Sequence, residues 1–158
     1  MLIKSLSEED QSFLKEMFYV SLYVPEGSEP YPISIIEEPH LAKYHTDWGK
    51  DTDLGLLAEI DGKKVGAIWG RFFTSAQPGY GFIADDIPEI GIAIREDFRG
   101  QGIGTQLFLA LFSLAKKQKL SALSLSVDRR NKAYHLYHRL GFTVVAEDGN
   151  SLTMKKIL

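Results

Sequence analysis

Apolar and polar positions along the 158-residue chain fall into blocks whose period changes from about two to nearly four and back. Residues 2–6 form a short apolar piece suited to an edge strand. Ser7 then starts a helix, with Asp10 three positions on, where a capping box favours Glu or Gln. Phe13, Leu14, Met17, Phe18, Val20 and Leu22 give that helix an apolar stripe, and Pro25-Glu26-Gly27 ends it. Residues 26–38 are rich in Pro, Glu and aromatic side chains, and residues 40–48 predict a second short helix stopped at Gly49. Residues 54–60 and 64–73 flank Asp61-Gly62, a dipeptide that tolerates the positive φ angles of a type I′ turn, and so predict a β-hairpin. Residues 74–88, which contain Pro78-Gly79-Tyr80-Gly81, read as a loop or an irregular strand.

A short strand is expected over 89–95. The clearest helix covers 102–118, where Ile103, Leu107, Ala110, Leu111, Leu114 and Ala115 keep helical spacing. A strand follows over 122–127, and Asp128 can cap a helix over 129–140 that ends at Gly141. Residues 142–146 and 152–157, joined at Gly149-Asn150, close the chain with two more strands. The order β-α-α-β-β-β-α-β-α-β-β puts a long antiparallel section beside one β-α-β-α-β crossover. It predicts an α/β (α+β) fold, with a mixed and mostly antiparallel sheet of about seven strands flanked by about four helices. Residues 1–158 are short enough for one domain and contain no internal repeat or linker.

Composition narrows the chemistry. Eighteen basic and 21 acidic side chains leave a net charge of −3, which argues against a broad nucleic-acid footprint. The absence of cysteine removes disulfides, thiolate metal sites and a cysteine acyl-enzyme, and fits a reducing cytoplasm. No apolar run reaches the roughly 18–20 residues of a membrane span, and Met1-Leu2-Ile3-Lys4 lacks a secretory pattern, so a cytoplasmic protein with no membrane partner is expected. His135 and His138 are three apart on a helix, but no third ligand is evident and no metal is expected. His40 and His45 read as surface groups.

The most informative string is Arg99-Gly100-Gln101-Gly102-Ile103-Gly104-Thr105, between a strand and the start of the long helix. Its three glycines let the chain turn tightly and let a ligand approach main-chain amides with no Cβ in the way. A helix N-terminus adds unsatisfied N–H groups and a positive dipole end, which together suit a phosphate. A nucleoside-triphosphate loop would need Gly-Lys-Ser/Thr, and Gly104 is followed directly by Thr105. A dinucleotide fingerprint would need a third glycine at Thr105 and an acid about twenty residues on, yet no Asp or Glu lies between Asp97 and Asp128.

Arg99-x-x-Gly102-x-Gly104 after a short apolar strand resembles the acetyl-CoA pyrophosphate loop of the GNAT-type N-acetyltransferases. Glu89-Ile90-Gly91-Ile92-Ala93-Ile94 is similar to that family's fourth strand. The stretch from Asn131 to Phe142, with Ala133, Leu136-Tyr137 and Gly141-Phe142 in register, is similar to its second cofactor motif. The resemblance is strong over 89–142 and weak before Leu54. It implies the GNAT fold, acetyl-CoA as cosubstrate and an amine as acceptor, and it is compatible with a homodimer.

By the same resemblance, main-chain groups of Ile92, Ala93 and Ile94 pair with the pantetheine arm, and the Ile92 N–H polarises the thioester carbonyl. Arg99, Gly100, Gln101, Gly102, Ile103, Gly104 and Thr105 form the pyrophosphate loop, and Asn131 and Tyr134 contact the cofactor. Tyr137 is the candidate general acid to the departing thiolate, since a phenol near pKa 10 can protonate a thiolate of pKa about 8–9. Glu89 is the candidate general base. It shares a strand face with Gly91 and Ala93, whose small side chains leave room for a ligand. With no Cys and no Gly-x-Ser-x-Gly elbow, direct attack by the amine in a ternary complex is preferred over an acyl-enzyme.

The acceptor side is expected to be walled by Tyr19, Tyr23, Tyr31, Tyr44, Trp48, Tyr80 and Phe82 beside Glu26, Glu29, Glu37, Glu38, Asp85 and Asp86. That mixture suits a small cationic amine or a peptide or protein amine. The alternative is a non-catalytic acyl-CoA-binding or sensor module on the same fold. Glu89, Asn131 and Tyr137 together favour the enzyme, because a sensor needs only the phosphate loop.

Overall fold

The computed structural model describes residues 1–158. Strand β1 (Leu2–Ser5) is followed by a 3-10 turn over Glu8–Asp10 and helix α1 (Gln11–Ser21). The Asp10 carboxylate accepts the Ser7 N–H at 2.9 Å, so aspartate fills the capping role, but the shorter side chain tightens the first turn and the α-helix proper starts at Gln11. Residues 40–48 do not form the expected helix. Only α2 (Pro39–Ala42) is α-helical, and the chain then passes through turns, because Asp47 at φ +51° and Gly49 at φ +113° leave the helical region.

The hairpin of β2 (Leu54–Ile60) and β3 (Lys63–Arg71) turns at Asp61 and Gly62, both at positive φ, as a type I′ turn requires. Next come β4 (Glu89–Ile94), α3 (Ile103–Lys117) and β5 (Ala122–Asp128), then α4 (Ala133–Arg139), β6 (Thr143–Asp148) and β7 (Ser151–Ile157). The helix expected over 129–140 loses its first turn. Asp128 accepts the Arg130 N–H at 2.9 Å and Asn131 accepts the Ala133 N–H at 3.0 Å, two local turns that delay the helix to Ala133.

The seven strands form one sheet in the order β1-β2-β3-β4-β5-β7-β6. All neighbours run antiparallel except β4 and β5, which run parallel. That parallel junction holds a single registered pair, Glu89 opposite Ser124, while β3 and β4 stay paired from Gly66 opposite Ile94 to Arg71 opposite Glu89. The two central strands therefore part company beyond Glu89, and one edge of β4 has no strand partner along Ile90–Ile94.

The sheet buries both faces. Leu107, Phe108 and Leu111 of α3 pack with Ile68, Leu123, Leu125 and Phe142 on one side. Leu14, Met17 and Phe18 of α1 pack with Ala67, Trp69 and Ala93 on the other, joined by Tyr44 and Trp48. Fully burying each such side chain contributes roughly 1.5–3 kcal/mol, so both faces of the sheet stabilise the fold. No helix is long and apolar enough to cross a membrane.

Candidate active site

A cavity of about 440 Å³ opens where β4 and β5 separate. One wall comes from Ile90, Gly91 and Ile92 of β4, Leu125 to Asp128 of β5, and Asn131 and Tyr137 beyond it. The remaining lining comes from Phe18 of α1, from Leu22, Tyr23, Tyr31, Ile35, His40, Leu41 and Tyr44 in the segment after it, from Trp69 of β3 beside Gly91, and from Tyr80. Glu89 also lines it. The tertiary fold thus brings Glu89, Ile92, Asn131 and Tyr137, spread over 49 residues of sequence, to one cavity.

Glu89 is not the solvated acid that a strand start after Pro88 would suggest: only 6% of it is exposed. Tyr44 Oη donates to Glu89 Oε2 at 2.7 Å, and the Gly81 N–H donates to Oε1 at 2.9 Å. The Tyr44 oxygen in turn accepts the Tyr80 N–H at 2.7 Å. Burial pushes the Glu89 carboxyl up, and the Tyr44 and Gly81 hydrogen bonds and the nearby Lys43 charge pull it back, leaving it at about 7. Burial and the facing Glu89 carboxylate raise the Tyr44 phenol, so Tyr44 stays a proton donor in the hydrogen bond across the working range.

The loop of Pro78-Gly79-Tyr80-Gly81 makes this arrangement by close approach. A Cβ on Gly79 would fall 2.2 Å from Glu89 Oε1 and 2.6 Å from the Tyr44 hydroxyl, and one on Gly81 would fall 2.7 Å from the Leu125 carbonyl carbon. Both glycines are visible in the sequence as turn formers, but their use against Glu89 is not. Tyr44 was expected only as one aromatic among several. Its segment is clasped to β3 by Arg71, which donates to Asp53 Oδ1 and Oδ2 at 3.0 and 2.9 Å and to the carbonyls of Lys43 and Thr46 at 3.0 and 2.7 Å. Burial works to raise the Asp53 carboxyl, but the Arg71 guanidinium and the Gly49 and Lys50 amides hold it below its ordinary value.

Several expectations need correction. The room over Gly91 is taken: a Cβ there would meet the Trp69 indole at 2.8 Å, and Ala93 is buried against α1. None of Glu26, Glu29, Glu37, Glu38, Asp85 or Asp86 lines the cavity, and neither do Tyr19, Phe82 or Trp48, the last being buried with Nε1 donating to the Leu6 carbonyl. His45 is no surface group. It is 2% exposed, with Nε2 2.9 Å from the Ile36 carbonyl, because the irregular turn after Ala42 tucks it under Phe18. Tyr134 stacks on the His138 ring and packs against the core.

Tyr137 lies in the cavity wall with its ring against Phe108 and Phe142, and burial pushes it up to about 12. Asn131 is half-buried and lines the cavity while its Oδ1 accepts the Ala133 N–H. The glycine loop lies outside the lining of this cavity. Gly100 at φ +76° and Gly102 at φ +80° adopt the left-handed region, with open space where a Cβ would be. The N–H groups of residues 100–105 donate to no backbone carbonyl, while Gly102 O accepts the Gln106 N–H at 3.1 Å as α3 begins. Six amides at the N-terminus of a 15-residue helix make a cradle that fits a pyrophosphate. A Cβ on Gly104 would lie 3.8 Å from both Ile92 and Leu136, so the cradle adjoins β4 and α4. Arg99 is exposed, with Nε donating to the Ile94 carbonyl at 3.1 Å.

The sequence matches the family model described as "Acetyltransferase (GNAT) family" over residues 15–142. Among solved structures, the PaiA N-acetyltransferase of Thermoplasma acidophilum, determined with coenzyme A, superposes with a TM-score of 0.70 at 22% identity, covering 99% of this chain and 98% of that one. The ribosomal-protein-alanine N-acetyltransferase of Brucella melitensis superposes with a TM-score of 0.68 at 22% identity over the whole of both chains. YncA, a putative acetyltransferase of Salmonella typhimurium determined with acetyl-CoA, gives 0.70 at 18% identity, over 100% of this chain and 94% of that one. Comparison with curated proteins yields no match.

Proposed function

The chain belongs to the acetyltransferase (GNAT) family, and from that premise we propose that it transfers the acetyl group of acetyl-CoA to a primary amine by direct attack in a ternary complex. The observation that carries this reading is one cavity lined by Glu89, Ile92 and Tyr137, with Ile92 also 3.8 Å from where a Cβ on Gly104 of the glycine loop would lie.

The amides of residues 100–105 and the dipole of α3 hold the pyrophosphate, with Arg99 beside them. The unpaired edge of β4 at Ile92, Ala93 and Ile94 receives the pantetheine arm, and the Ile92 N–H faces the carbonyl oxygen. Asn131 contributes a side-chain amide to the same wall. Bound acetyl-CoA supplies an activated thioester carbonyl. Glu89, at about 7, takes a proton from the incoming ammonium, directly or through water, so that a neutral amine attacks.

Tyr137 gives a proton to the departing sulfur as the C–S bond breaks, and the second proton shed by the acylated nitrogen restores the phenol, directly or through water. From about 12, that transfer runs uphill by roughly 5 kcal/mol to a thiolate at its aqueous pKa of about 8.5. The same dry wall raises a thiolate lodged beside Tyr137, since burial disfavours the charged form of either group, and the gap narrows.

Free CoA released in the presence of acetyl-CoA and a panel of amines tests the reaction. kcat/KM should rise with pH through about 7, and Glu89→Gln should remove that limb. A protein that binds acetyl-CoA by calorimetry but releases CoA with no amine would instead be a binding module.

A further inference from the structure

The acceptor half of the cavity has a definite chemistry, and it is not the acidic one expected from the sequence. Its walls are aromatic and aliphatic: Phe18, Leu22, Tyr31, Ile35, Leu41 and Trp69. The polar groups without a partner, the His40 ring and the Tyr23, Tyr31 and Tyr80 hydroxyls, belong to residues that are exposed or half-buried, and the deeper ones are committed. The Ser21 hydroxyl donates to the Phe18 carbonyl, the Tyr31 carbonyl accepts the Tyr19 hydroxyl, and Tyr44 is spent on Glu89 and Tyr80.

The two acids that reach the cavity are Glu89 and Asp128. Asp128 is already neutralised, because Arg130 donates to Oδ1 at 2.9 Å and to Oδ2 at 2.8 Å. The same guanidinium lies 5.9 Å from the Tyr23 ring centroid, so one aromatic face at the rim is occupied by a fixed cation. One carboxylate therefore remains for one ammonium.

From this we infer that the acceptor is a monoamine carried on an apolar alkyl or aryl body, and not a polyamine or an amino sugar. The inference rests on the acetyl-transfer reading above. A second ammonium would leave water to meet apolar walls and Arg130. The hydroxyls of a sugar would lose their water partners against the apolar walls, where the His40 ring and three tyrosine hydroxyls offer too few bonds to replace them.

The test is a matched set of acceptors at saturating acetyl-CoA, read as kcat/KM from CoA release. The set comprises propylamine to hexylamine, hexylamine against 1,6-diaminohexane, and phenethylamine against glucosamine. Burial of each added methylene should raise kcat/KM about fourfold along the alkyl series. Hexylamine and phenethylamine should exceed their polar counterparts by about 100-fold. In Tyr31→Asp, which puts a carboxylate at a rim position that is 38% exposed, the ratio of diamine to hexylamine should rise about tenfold.

Diamine or glucosamine turned over as well as its apolar counterpart overturns the inference and leaves acetyl transfer standing, as does an unchanged ratio in Tyr31→Asp. No CoA release with any amine, from protein that binds acetyl-CoA by calorimetry, overturns the acetyl-transfer reading and this inference with it.

Discussion

Tyr44→Phe isolates the hydrogen bond that tunes Glu89. The substitution keeps the ring, which stacks on Phe18 at 5.6 Å and meets Phe73 edge-on at 4.9 Å, and removes only the oxygen. That oxygen gives Glu89 a 2.7 Å bond that stabilises the carboxylate more than the acid. A hydrogen bond to a charged group contributes about 1.5–3 kcal/mol, and 1.36 kcal/mol corresponds to one pKa unit, so the Glu89 carboxyl should move from about 7 to about 8–9.

The sign of the stability effect follows. A carboxyl raised above its unfolded value of 4.5 keeps its proton in the folded chain after the unfolded chain has lost it. Stability therefore falls as pH rises between those two values. In the wild type the decline ends near pH 7, and in Tyr44→Phe it should continue to about pH 8–9, an additional loss of about 1.5–3 kcal/mol. Urea unfolding at intervals from pH 5 to 9 measures this, a carbon-13 titration of the Glu89 carboxyl gives the midpoint, and the acid limb of kcat/KM should move with it. A Glu89 midpoint at or below 7 in the variant would show that Tyr44 does not stabilise the carboxylate.

The clasp behind this pair makes its own prediction. Asp53→Ala leaves the buried Arg71 guanidinium facing carbonyls without its carboxylate and should cost about 3–5 kcal/mol in denaturant unfolding; a cost below about 1 kcal/mol would remove the clasp from the account. Gly102→Glu should abolish CoA binding in calorimetry, while Gly102→Ala, which carries the same positive-φ strain without the charge, should retain measurable affinity. Equal loss in both would assign the effect to backbone strain. Tyr137→Phe should lower kcat on the order of 10²-fold with little change in acetyl-CoA affinity, and a wild-type kcat would reduce Tyr137 to its packing against Phe108 and Phe142.

Local rules written in consecutive residues fix most of the elements. Asp61-Gly62 sets the hairpin register because few other dipeptides accept two positive φ angles, and the apolar spacing from Ile103 to Ala115 dictates α3 because only a helix puts those side chains on one face. The phosphate cradle is legible for the same reason: its glycines and the helix that follows are contiguous, and amides at a helix start need nothing distant to be free.

The state of Glu89 is decided elsewhere. Its burial depends on the close approach of Gly79, its hydrogen bonds on Tyr44 from 45 residues upstream and on Gly81, and its cavity on β4 and β5 pairing at one position only. The expected helix over 40–48 gave way to turns anchored by Arg71, and the acids upstream of β4 were left outside the cavity. Hydrophobic periodicity and turn chemistry act over a few residues, whereas desolvation and charge pairing depend on which distant segments meet. The chain's sequence therefore determined the glycine loop and the free amides at the start of α3, and the packing of the Tyr44 segment and the 78–81 loop against the split sheet decided the burial and hydrogen bonding of Glu89.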